Sequence, residues 1–155
     1  MTNDREKKYM CHQCNYSALF RRCGLDNTPN RISVMEIVGN STYPLSVQEV
    51  FDILKRTKHV NRVTVYRVLD ILVKKGLLER ISGGDRAFRY GIAPNDNHRR
   101  HPHFYCKQCG NMECLNPESI SVDMEALERT FSGLIEKAEV RIDGVCRNCL
   151  RAEKK

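Results

Sequence analysis

Apolar positions in the first part of the chain recur at three- and four-residue spacing through four successive segments and then switch to alternation. That change of period separates a run of helices from a β-hairpin. A short helix is predicted over 17–23, stopped by Gly24. Asn27, Thr28 and Pro29 offer cap and first-turn chemistry for a second helix, whose stripe of Ile32, Met35 and Val38 is widened by Val34 and Ile37, and which Gly39 and Asn40 end. Ser46 with Glu49 three residues later forms a capping-box pattern ahead of Val47, Val50, Phe51 and Leu54. Asn61 can cap a fourth helix with Val65, Val68, Leu69, Leu72 and Val73 on its core face and Arg62, Thr64, Tyr66 and Arg67 facing outward, up to Gly76. Strands over 77–81 and 87–92 flank the turn Ser82, Gly83, Gly84 and Asp85. Helices followed by such a hairpin predict a winged helix-turn-helix.

The polar run 94–100 breaks the pattern and reads as a hinge. Beyond it, 103–106 and 112–115 look like strands around a Cys-x-x-Cys-Gly turn. Asn116, Pro117 and Glu118 are expected to open another helix, burying Val122, Leu127, Phe131 and Leu134. The alternation of Ala138, Val140 and Ile142 predicts a last strand running into Cys146. The expected fold is α+β: a Cys-bearing arm (1–16), a winged-helix reader (17–93), a linker (94–102) and a small α/β dimerisation domain (103–155) built on a four-cysteine zinc site.

Charge divides the chain at the same place. The formal net charge is +7, with sixteen Lys and Arg against nine Asp and Glu in 1–94 but ten of each in 95–155. A positive field confined to one half suits a module that binds a polyanion, joined to a neutral one; solubility charge alone would give the same count. Eight cysteines could form disulfides, but residues 1–10 are charged and lack the apolar run of a secretion signal, so reduced thiols and a cytoplasmic location are expected, with no membrane span.

Cys106 and Cys109, and later Cys146 and Cys149, are two Cys-x-x-Cys knuckles separated by a helix-sized insertion, the delivery that a tetrahedral Zn2+ ion requires. Four thiolates leave no open position, so that zinc would be structural. Redox-active pairs or unpaired thiols are the competing readings. In the fourth helix Arg62 and Arg67 can reach phosphate or guanine, Thr64 a thymine methyl or phosphate, and Tyr66 a base or the backbone; with Arg31 these are the candidate contacts to double-stranded DNA.

The segment Thr64-Val65-Tyr66-Arg67-Val68-Leu69, the run His101-Pro102-His103-Phe104-Tyr105-Cys106-Lys107-Gln108-Cys109-Gly110 and the closing Cys146 and Cys149 together resemble the ferric uptake regulator family. The resemblance implies a homodimer that binds an inverted-repeat operator when a sensory metal is held, and represses transcription. It matches His101 and His103 to sensory ligands, whereas Pro44 stands where many members carry His, Gly91 where many carry Glu or Asp, and Cys114 in place of an acidic ligand. Pro102, Ser121 and Ala138 stand at the ligand positions of a second family site, and Asp26 at a basic DNA contact.

Two imidazoles and a thiolate favour Zn2+ as the second, regulatory divalent metal. A missing ligand could come from the arm, where Cys11, His12, Cys14 and Cys23 cluster in sequence; equally, those residues could form a separate zinc knuckle or none. His59, His98, Arg99 and Arg100 read as solvated loop and linker residues. A metal-responsive repressor with no small-molecule substrate is therefore expected. The alternatives are a thiol or peroxide sensor and a zinc-ribbon adaptor that binds protein. Enzymatic activity is not expected, because the His-x-Glu signature of zinc deaminases is absent.

Overall fold

The computed structural model describes residues 15–96 and 98–154. Four helices form in chain order: α1 (Tyr16–Arg22), α2 (Pro29–Gly39), α3 (Val47–Leu54) and α4 (Arg62–Lys74). Each starts where a short polar side chain satisfies an amide that the first turn leaves open. Asn15 accepts from the Ala18 N–H at 3.0 Å and Thr28 from Arg31 at 3.4 Å, with Pro29 at the first helical position. Asn61 accepts from Thr64 at 2.8 Å. At α3 the capping box closes both ways: Ser46 Oγ accepts from Glu49 N–H at 3.2 Å and the Ser46 N–H donates to Glu49 Oε2 at 2.7 Å. Gly24 and Gly76 adopt positive φ just beyond α1 and α4, where a side chain would be strained.

Short strand β1 (Leu45–Ser46) and the hairpin β2 (Leu78–Ser82) and β3 (Phe88–Ile92) form an antiparallel sheet in the order β1-β3-β2. Phe20, Val34, Met35, Val50, Leu54, Val65, Leu69, Leu72 and Leu78 meet as one buried core beneath it. The hairpin turn differs from the expected one. Ser82 belongs to β2 and pairs with Phe88, and the left-handed residue is Arg86, φ 65°. The glycines serve close approach instead: a Cβ on Gly84 would lie 2.3 Å from the Tyr105 ring.

The second sheet runs β5-β4-β6, with β4 (His103–Cys106) antiparallel to β5 (Met112–Cys114) and parallel to β6 (Arg141–Gly144). Three expectations need correction here. Pro117 opens only a turn, and helix α5 (Met124–Thr130) starts later, where Asp123 accepts from Ala126 N–H at 2.9 Å. Its predicted buried face is exposed: Val122 41%, Leu127 42%, Phe131 55% and Leu134 83%. A final helix, α6 (Arg147–Glu153), begins at Cys146, where only a strand end was expected.

The wing is bonded to β6 and to the segment that leads into it. Ser82 N–H donates to Glu139 Oε1 at 2.7 Å, Lys137 Nζ to the Arg80 carbonyl at 2.6 Å, and Arg141 to the Ser82 carbonyl at 3.3 Å. Buried Arg89 pairs with Asp85 and also donates to the Gly110 carbonyl at 3.2 Å. Ile81 of the wing packs with Tyr105 and Met112 in a small core shared by both sheets.

Candidate metal centres and nucleic-acid face

β4 ends at Cys106 and turns back through Gly110, whose N–H donates to the Cys106 carbonyl at 2.9 Å with φ +74°. This knuckle brings Cys109 beside Cys106. Parallel pairing of β6 with β4, closed by the Lys107 N–H to Gly144 carbonyl bond at 2.8 Å, delivers Cys146 to the same point, and the first turn of α6 adds Cys149. Cys106 and Cys149 sulfurs are 3.9 Å apart, those of Cys109 and Cys146 3.8 Å. All four lie within 4.8 Å of one another. Four sulfurs about 2.3 Å from a central zinc define a tetrahedron of edge about 3.8 Å. The donors therefore fit that ion in kind and spacing.

The electrostatics agree. Backbone N–H groups of Cys109 and Cys146 aimed at Cys106 lower its thiol to about 6, whereas Cys149, crowded by the Cys146 thiol, is pushed up to about 12. Four thiolates this close cannot ionise together without a cation among them.

A second group lies where the linker enters β4. Residues two apart in an extended chain share a face, so His101 and His103 project together, and antiparallel pairing sets Cys114 directly opposite His103. Their ligand atoms lie within 4.8 Å of one another, and the two rings are 4.6 Å apart. His101 Nδ1 lies 2.9 Å from the Arg99 carbonyl; since a carbonyl only accepts, Nδ1 donates, which leaves the lone pair on Nε2. Burial lowers His103 to about 3, helped by His101 and His98. Burial also pushes the Cys114 thiol up to about 12, with Glu79 and Glu113 adding to it. Neutral imidazoles are ready ligands, and the thiol must lose its proton as a metal arrives.

Of the other expected ligands, Cys11 and Cys14 lie outside the described residues, as does His12. Cys23 is not brought to this group; its thiol donates to the Lys75 carbonyl at 3.6 Å, beyond the end of α4. Pro102, Ser121 and Ala138 line one cavity of about 350 Å³ and supply it with no metal-binding side chain, and Arg100 donates to the Ala138 carbonyl there at 2.6 Å. His98 is a correction to the solvated linker: it is only 9% exposed, its ring 5.1 Å from that of His101.

The opening turns of α4 carry the expected basic face. Arg62, Tyr66 and Arg67 are exposed, Tyr66 at 47%. The Arg62 guanidinium lies over the Phe51 ring at 5.5 Å and donates to Gln48, both in α3. Thr64 is less available than expected, because its hydroxyl donates to the Asn61 cap at 3.0 Å. Arg31 is tied back to the Asp26 carbonyl at 3.1 Å. Val63 is 55% exposed on this face, an outward apolar residue amid polar ones that carries no periodic signal.

Residues 22–141 match the model of the ferric uptake regulator family. The ferric uptake regulation protein of Bacillus subtilis (strain 168) is 26% identical over 148 residues, covering 94% of this chain and 93% of its own. The peroxide operon regulator of the same organism is 24% identical over 135 residues, covering 86% and 90%. Among solved structures, a zinc uptake regulator complexed with zinc and DNA superposes with a TM-score of 0.65 at 20% identity, over 90% of this chain and 93% of its own.

Proposed function

Because the chain belongs to the ferric uptake regulator family, we propose that it is a metal-responsive transcriptional regulator that binds duplex DNA as a homodimer and represses from an inverted-repeat operator. The observation that carries this reading is the pairing of a four-thiol centre and an imidazole-thiol centre with an exposed basic helix on one chain. In it, 17–93 read the DNA and 103–155 dimerise, hinged at 94–102.

The roles divide by chemistry. Cys106, Cys109, Cys146 and Cys149 hold a structural zinc, which bound would neutralise the four thiolates and fix the β4 knuckle against α6. His101, His103 and Cys114 hold a regulatory ion whose soft and borderline donors favour zinc over iron or manganese. Arg62 and Arg67 meet phosphate or guanine, and Tyr66 the backbone. The exposed row of Val122, Leu127, Phe131 and Leu134 supplies the surface that a second copy covers. Bonds from the wing to the second sheet let metal occupancy bias the placement of the readers.

Metal sensing is favoured over peroxide sensing by the geometry around Cys114: its sulfur lies within 4.8 Å of the ligand atoms of His101 and His103, a grouping that suits a cation. No helix among the described residues is long and apolar enough to cross a membrane. The test is selection of duplexes from a random pool by the zinc-loaded protein. The expected outcome is an enriched sequence with two-fold symmetry, its half-sites about one helical turn apart. Enrichment of a single asymmetric site, or of none, would contradict the dimeric reader.

A further inference from the structure

The second centre offers three ligands, and zinc binds four. The two positions of the DNA-binding half at which the family resemblance would place the missing ligand, Pro44 and Gly91, cannot coordinate. Yet both line a single small cavity together with His98, His101, His103 and Cys114. Its volume of about 20 Å³ is roughly that of one water-sized sphere, room for an ion rather than an organic ligand.

We propose that His98 completes this centre, so that the linker itself supplies the fourth ligand of a three-imidazole, one-thiolate metal site. The assignment rests on reading His101, His103 and Cys114 as a metal site. Histidine in a linker is ordinarily solvated, but this one is buried and set edge-on to His101 with the rings 75° apart. Its backbone is pinned from both sides: Asn95 N–H donates to the His98 carbonyl at 3.0 Å, and His98 N–H to the Asn95 carbonyl at 3.1 Å. His98 stands one ring outside the three-ligand group, so ligation requires a side-chain rotation that carries a ring nitrogen inward while the backbone bridge holds. Glu79 also lines the cavity and is the competing donor; burial, with Glu139 nearby, raises its carboxyl despite Lys137 and Arg100, which disfavours the charged form that a metal would need. Ligation by His98 would tie the segment between reader and dimerisation module directly to metal occupancy.

The experiment is a cobalt titration of the full chain, keeping the structural zinc in place and reading the visible ligand-field spectrum and the affinity. The parent should bind one Co2+ tetrahedrally with a single thiolate charge-transfer band. His98→Ala should weaken binding by about ten- to a hundred-fold or more and change the ligand field, since even partners outside the metal's own ligands are worth that much. His98→Cys should restore a tetrahedral spectrum with a second thiolate band, a gain that no purely structural role would give. An unchanged spectrum and affinity in His98→Ala, with Cys114→Ser still removing the band, would overturn His98 while leaving the three-ligand reading intact. Weakening by Glu79→Gln, or by Cys11→Ser/Cys14→Ser, without an effect of His98→Ala would overturn it in favour of those donors. If Cys114→Ser also left the band untouched, the site itself would fall, and with it the regulatory half of the proposed function.

Discussion

Cys106 has two bonding roles at once: its sulfur lies 3.9 Å from that of Cys149 and accepts the Cys146 N–H at 3.3 Å. Cys23, a thiol of similar pedigree in the sequence, makes one weak contact to the Lys75 carbonyl. The two serines that could replace them therefore predict different outcomes. Cys106→Ser should release the structural zinc, loosening it by more than about a hundredfold, and melt the second sheet, since such zinc carries about 10–16 kcal/mol of apparent folding free energy. Cys23→Ser should retain zinc and cost less than about 1 kcal/mol. Metal content and thermal denaturation read both. At this scale the four-sulfur centre was legible because thiol spacing encodes it. His98 was not, since burial of a linker imidazole depends on where two modules meet. The Thr64 hydroxyl bond to Asn61 was not legible either, because a hydroxyl three residues after a cap has a local partner that helical periodicity does not reveal.

Among the elements, α2 to α4 stand close to where sequence places them, because Thr28, Ser46 and Asn61 each write a start signal whose chemistry is local, whereas α1 starts one residue before its expected bounds, at an unexpected Asn15 cap. Helix α5 did not follow, and the reason is physical. Its pattern was read as a face that packs within the chain, yet Leu127 and Phe131 face outward. Periodicity says that a surface seeks cover and is silent on whose surface provides it. The element-scale prediction follows from that distinction. Leu127→Asp/Phe131→Asp should leave zinc content and helicity intact while raising the dimer dissociation constant at least about tenfold, as sedimentation equilibrium would measure. A double variant as dimeric as the parent would place the interface elsewhere.

Across the whole molecule, among the described residues, the two sheets share one small core, the wing is hydrogen-bonded to Lys137, Glu139 and Arg141 at the entry to β6, and the second candidate metal group and His98 sit at that seam. Sequence order separated the strands of the two sheets; it did not reveal that Arg89 of the wing reaches the Gly110 carbonyl of the cysteine knuckle, a contact between residues twenty-one apart that no periodic pattern encodes. Seam contacts of this kind give a metal leverage over DNA binding only if it favours one arrangement of the modules over another. The most direct measurement is the affinity of the protein for its selected duplex at fixed salt, with structural zinc retained and the second site either emptied or filled with zinc. Coupling of about 1–3 kcal/mol predicts tightening of about 5- to 150-fold on filling. Equal affinity in the two states, at zinc concentrations that saturate the second site, would contradict a metal-responsive regulator.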